Sequence, residues 1–174
     1  MVAAARDGDR EAFGRLYHRY ARMVHGVLLA HAPHQEVADL VHDVFLQALR
    51  RLASLRDPAA FPGWLAMIAR NRARDHFRRA RPQEALPDDD AAPENAVAGA
   101  NFSSPAASPS AAYEARAALE AIQSLPEAYR ETLVLRLVEG MTGEEIAQRT
   151  GLSPASVRVN LHRGMKQLRE KLGM

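Results

Sequence analysis

Cysteine is absent from all 174 residues, so neither a disulfide framework nor a thiolate metal site is available to this chain. Long apolar runs are missing too. The chain opens on Met1-Val2-Ala3 and turns charged by Arg6 and Asp7, leaving no stretch of the length a signal peptide or membrane span needs. On that reading the protein is expected in the cytoplasm. Aromatic residues are only 6% of the sequence against 47% hydrophobic residues overall, which suits helices better than a β-sandwich, and no strand pattern competes anywhere. Neither an HExxH sequence nor a glycine-rich phosphate loop occurs. The formal charge is only +2, so net charge says little about nucleic acid and its distribution says more. The basic residues are almost all Arg, whose planar fork favours bidentate phosphate and base contacts over point-charge attraction.

The periodicity of what remains predicts an all-α fold of two helical domains joined by a flexible linker. Residues 9 to about 80 read as three amphipathic helices. The first carries Phe13, Leu16, Tyr17, Tyr20, Met23, Val24, Val27 and Leu28 at helical spacing. The second, from about Glu36 to Ala53, turns Val37, Leu40, Val41, Val44, Phe45, Ala48, Leu49 and Leu52 inward. The third starts after Asp57-Pro58 or, leaving Phe61 out, afresh at Pro62, and carries Trp64, Leu65, Ile68 and Phe77. Residues 81–111 change character: no Lys or Arg lies between Arg81 and Arg116, acidic residues gather at Glu84, Asp88, Asp89, Asp90 and Glu94, and five prolines alternate with Ala, Ser and Gly. Such a composition builds no core and reads as a linker able to join domains held well apart. Residues 112–174 read as four helices. Leu119, Ile122 and Leu125 close the first, Pro126 begins the next, Tyr129, Leu133, Leu137 and Val138 line it, and Gly140 ends it.

The last two helices carry the strongest local signal, in Thr142 to Arg163. Thr142 and Glu145 form a capping box, Ile146 and Ala147 supply an inner face, and Gly151 allows the positive φ of a tight turn. Ser153 and Pro154 restart the chain as N-cap and first helical residue, after which Val157, Leu161, Met165, Leu168 and Leu172 make a buried stripe. This is the pattern of a helix-turn-helix. The opposite face bears Ser156, Arg158, Asn160, Arg163, Lys166 and Arg169, and a second helix of this kind places its N-terminal residues at base edges in the major groove. Arg and Asn are the side chains whose forks match guanine and adenine.

Two charged clusters lie in the N-terminal half. Arg70, Arg72, Arg74, Arg78 and Arg79 crowd the end of the third helix, where contact with a nucleic-acid backbone would give salt-dependent attachment. Trp64, two turns upstream, is either core or a stacking platform for an unstacked base. In the second helix Glu36, Asp39 and Asp43 share a face, where like charges cost a few tenths of a kcal/mol, and such a patch suggests a basic partner. His42 beside Asp43 and Asp39 makes a poor metal cage, because no second segment supplies a matching ligand. His31 and His34 bracket a Pro and read as loop. No metal, cofactor or catalytic residue is expected.

Together these motifs resemble the sigma-70 family of bacterial RNA polymerase initiation factors, and specifically its extracytoplasmic-function (ECF) subfamily. The stretch GDREAFGRLYHRYARMVHGV looks like the start of the family's region 2, VADLVHDVFLQAL like region 2.2, FPGWLAMIARNRARDHFRR like regions 2.3 and 2.4, and the chain from Leu125 to Leu172 like region 4. The resemblance implies a three-helix region 2 in residues 1–80 and a four-helix region 4 in 112–174. It also assigns roles. Asp39, Leu40, Asp43 and Phe45 match the surface for the β′ coiled coil of core polymerase, and Leu133 and Leu137 lie in the domain that docks on the β flap. Trp64, Asn71, Arg72, Arg74, Asp75 and Arg78 fall in the segment that meets and helps melt the −10 element. The loop Ser54 to Asp57, with Arg56, lies where an extruded base is captured. Ser153, Ser156, Arg158, Asn160 and Arg163 belong to the helix that reads the −35 element. The family often has a small residue and Arg where this chain has Val159-Asn160, which leaves base preference there open.

The resemblance further implies that chemistry belongs to the polymerase, that an inhibitory anti-sigma factor binds both domains, and that the linker is drawn out on the polymerase. Promoter elements nearly two DNA turns apart are separated by about 60 Å, against a relaxed linker span near ~30 Å. The competing reading is a stand-alone helix-turn-helix repressor or activator on an operator. It would need a dimer to read two half-sites, and no heptad seam or receiver domain is visible.

Overall fold

The computed structural model describes residues 1–80 and 109–173. The N-terminal half contains α1 (Val2–Arg6), α2 (Arg10–Leu29), α3 (His34–Arg51) and α4 (Phe61–Ala80), with single 3₁₀ turns at Leu52–Ser54 and Pro58–Ala60 between α3 and α4. The C-terminal half contains α5 (Pro109–Gln123), α6 (Glu127–Leu137), α7 (Gly143–Thr150) and α8 (Pro154–Leu172). Helix α5 begins inside the stretch read as linker, at a proline whose fixed φ suits a first helical turn. The remainder of that stretch, 81–108, lies outside the described residues. Among those described, no helix is long and apolar enough to cross a membrane.

Helices α2, α3 and α4 pack mutually around one core. Asp9 starts α2 by accepting a hydrogen bond from the Ala12 amide at 2.9 Å, and Leu16, Met23, Val24, Val27 and Leu28 are then buried at helical spacing. In α3, Val37, Leu40, Val41, Val44, Phe45 and Ala48 face inward as the periodicity requires. Leu49 does not: it is half exposed, as is Leu46. Ala48 and Leu52, one turn apart, carry the stripe, and Leu49, about 100° further round, points outward. Phe61 decides between the two starts expected for the third helix, against the one that leaves it out. It is the first residue of α4 and fully buried, with its ring 5.3 Å from Tyr20 and 5.8 Å from Trp64. Asp57 makes this entry by capping the 3₁₀ turn through the Ala59 amide.

In the C-terminal half Pro126 is the N-cap of α6 and Glu127 its first helical residue. The lining expected for α6 is wrong on one side. Leu137 and Val138 are half exposed, whereas Glu131, Thr132, Leu133, Val134 and Leu135 are all buried. A helix buried on several faces loses its single apolar stripe, and α6 packs on α5, α7 and α8 within its own half and on α2 across the molecule. It lies tight against α8 at Gly164, where an added Cβ would come within 3.0 Å of Leu133 and 3.1 Å of Tyr129.

The two halves are therefore in contact. Gly26 of α2 lets Leu135 and Glu139 so close that a Cβ there would lie 2.6 Å from the Leu135 side chain. Helix α4 packs on α7, and Gln123 of α5 donates to the Leu29 carbonyl at 2.8 Å.

Candidate nucleic-acid interface

The helix-turn-helix is built from its termini. The Thr142 hydroxyl accepts from the Glu145 amide at 3.2 Å, and the Glu145 carboxylate accepts from the Thr142 amide at 2.9 Å. That backbone bond, with the Thr142 hydroxyl, holds the Glu145 carboxyl below its ordinary range. Gly151 ends α7 at φ 76° and donates to the Ala147 carbonyl at 3.1 Å. Ser153 accepts from the Ser156 amide at 3.1 Å, with Pro154 first in α8. Val157 and Leu168 are buried, Leu161 and Met165 partly so, and Leu172 is exposed at the end of α8. Ser153, Ser156, Arg158 and Arg163 face solvent. Asn160 does not: it is half-buried, in a recess of about 430 Å³ shared with Arg70, Glu127, Glu131 and Leu152.

The arginines of α4 are largely engaged. Arg70 holds the buried carboxylate of Glu131 through Nε and Nη2, both at 2.7 Å. Its guanidinium is driven up by that hydrogen bond, with burial opposing. Burial pushes the Glu131 carboxyl up, but hydrogen bonds from Arg70 and His31 outweigh it and leave it below the usual range. Arg74 pairs with Glu127 and holds that carboxyl down as well. Arg72 pairs with Asp43 of α3, and His76 with Glu36. Arg78 donates along its own helix to Asp75 at 3.2 Å, and Asn71 is exposed. Arg56 is exposed on its loop, where Ser54 donates to the Arg51 carbonyl at 2.7 Å. Trp64 is half-buried and lines a recess of about 470 Å³ with Leu55, Gly63, Met67, Gln148 and Gly151.

The acidic face of α3 thus finds basic partners within the chain, at Arg72 and His76, while Asp39 is exposed. Leu40, Phe45 and Leu133 are core residues, and only Leu137 of the apolar docking set is on the surface. His42 stacks on Tyr17 with ring centroids 6.5 Å apart. Among the described residues no group of three or more metal-ligating side chains gathers.

Sequence reasoning missed the carboxylates of the seam. Glu131 is also within 3.6 Å of His31, which the sequence placed in a loop, while His34 opens α3. Glu139 meets His25 Nδ1 at 2.6 Å and Arg22 Nε at 3.5 Å. Glu131, directly ahead of the run Leu133-Val134-Leu135, was the one available signal.

One half thus carries a helix-turn-helix and the other an arginine-rich helix beside a half-buried tryptophan, which defines a two-headed helical DNA-binding protein. The Sigma-70 region 2 family model matches residues 16–83, and that for Sigma-70, region 4 matches 115–168. The chain belongs to the sigma-70 family, in its extracytoplasmic-function subfamily. It is 36% identical to RNA polymerase sigma factor CarQ of Myxococcus xanthus, over 97% of this chain and 93% of that protein. It is 30% identical to the ECF RNA polymerase sigma-E factor of Escherichia coli K12, over 99% and 92%. Among solved structures it resembles CnrH in its complex with the cytosolic domain of CnrY, at 25% identity and TM-score 0.64, covering 99% of this chain and 94% of CnrH. The protein is a promoter-recognising initiation factor of RNA polymerase and not an enzyme. A region 2 match over the N-terminal half disfavours a stand-alone operator binder.

Proposed function

We propose that residues 1–80 dock core polymerase and bind the −10 element, that 112–174 bind the −35 element, and that 81–111 connect them. Asp39 and Asp43 meet the β′ coiled coil, with the exposed Leu46 and Leu49 beside them, while Leu40 and Phe45 hold α3 in shape from beneath. Leu137 faces the β flap over the buried Leu133. Arg56, Trp64, Asn71, Arg72, Arg74, Asp75 and Arg78 serve the −10 element, and Ser153, Ser156, Arg158, Asn160 and Arg163 the −35 element. The observation that carries this reading is the exposed basic face of α8 behind a fully capped helix-turn-helix. The protein works where the polymerase is, in the cytoplasm, and an anti-sigma factor regulates it, as a chain packed like CnrH in its complex suggests. In vitro transcription with purified core enzyme tests the proposal. Initiation that needs both promoter elements supports it, and equal activity on templates with either element scrambled refutes it.

A further inference from the structure

Val159 of α8 is an apolar side chain left 45% exposed. It follows the buried Val157 by two residues and so lies about 200° further round the helix, pointing away from the core. Its neighbours one turn away on either side are Ala155, Ser156, His162 and Arg163, all exposed. Val159 takes no part in the hydrophobic core. A β-branched residue is also a weaker helix former than Ala, Arg, Lys or Gln. Neither packing nor local propensity therefore accounts for a valine at this position.

The chemistry of a DNA groove does account for it. A reading helix brings its N-terminal turns to the base edges of the major groove, and Val159 lies in the second turn of α8, which begins at Pro154. Among those edges thymine alone presents an apolar group, its 5-methyl, and apolar side chains are the ones that recognise it. One isolated apolar side chain is too small an area to dock a protein. It is matched in size to one methyl group. Asn160, next in the chain, is half-buried in the recess with Arg70 and Glu131, which leaves Val159 the more forward of the two.

We propose that Val159 is a specificity-determining residue of the reading helix, which favours thymine at one position of the −35 element by packing on its 5-methyl group. Arg158 and Arg163, both exposed beside it, serve guanine or phosphate and set the register in which the methyl is met.

This role presupposes the −35 reading of α8, and the test keeps the two apart. Holoenzyme assembled from the full chain and core polymerase is given a duplex library randomised over the promoter region. The library is amplified once with dTTP and once with dUTP, whose base differs from thymine only in lacking the 5-methyl, and the bound DNA is sequenced. Wild type should prefer thymine at one position of the −35 element, and that preference should fall about fourfold in the uracil library, the worth of burying one methyl-sized group. Val159→Ala, a change on an exposed helix face, should show the lower preference in both libraries while leaving the other positions as they were. A methyl effect of equal size in wild type and Val159→Ala overturns the role of Val159, as does a −35 preference that nowhere depends on the methyl. Wild-type holoenzyme that selects no −35 sequence from either library would instead overturn the −35 reading of α8.

Discussion

Arg70 of α4 and Glu131 of α6 face each other across the two halves of the molecule, joined by two hydrogen bonds of 2.7 Å. Removing one partner of a buried pair costs about 3–5 kcal/mol where the other stays dry. Here Arg70 keeps part of its side chain in solvent, so Arg70→Ala should fall at or below the lower end of that range in urea unfolding. Arg70→Lys should recover only part of the loss, since a point charge replaces the fork.

Acid should loosen the same contact. The folded-state carboxyl of Glu131 lies below its ordinary value of 4.5, because Arg70 and His31 outweigh the effect of burial. A depressed carboxyl stabilises fully above the ordinary value and loses that contribution as pH falls through the folded one. Scattering profiles of the wild-type chain should therefore widen below about pH 4.5. Glu131→Gln should remove that part of the pH dependence.

Asp39 and Asp43 should respond differently to charge reversal. Asp39 is exposed, whereas Asp43 also pairs with Arg72. Asp39→Arg should weaken capture by core polymerase with little change in the thermal melt. Asp43→Arg should weaken capture and also place two cations together between α3 and α4, lowering the melting temperature. Pull-down and thermal scans on both variants check the split, and unchanged capture for both removes the docking face.

On the reading helix, Arg158→Ala should lower transcription from a promoter with an intact −35 element. The loss of a bidentate base contact corresponds to about 1–3 kcal/mol of discrimination. Asn160→Ala should do so with a relaxed base preference at its position. Promoter libraries transcribed with each variant report both effects.

Gly151→Ala should destabilise the C-terminal half by about 1–2 kcal/mol, the cost of a left-handed conformation for a residue with a Cβ, with contact on Gly63 added. Thr142→Ala removes the capping box and should cost about 1 kcal/mol. Thermal denaturation checks both, with Thr142→Ser expected near wild type.

The helix-turn-helix was legible because every part of it is local. Capping at Thr142 and Glu145, the turn at Gly151 and the restart at Ser153-Pro154 each depend on residues within one helical turn. The same holds for α2 and most of α3, where one apolar face fixes the helix. Legibility failed where a helix is buried on more than one face. In α6 Glu131 sits in the core and Leu137 outside it, and no single period encodes such an outcome.

The sequence by itself determined the all-α class, the helices other than the short α1, their caps and the family, because hydrogen-bonded turns and apolar spacing act over a few residues. Only the tertiary structure decided that Arg70 and Arg74 are held by Glu131 and Glu127, that His31 and His25 reach carboxylates of the other half, and that Asn160 turns inward. Those pairs join residues 53 to 114 positions apart, and their energies depend on how much water the packing of α6 excludes, which no local pattern records.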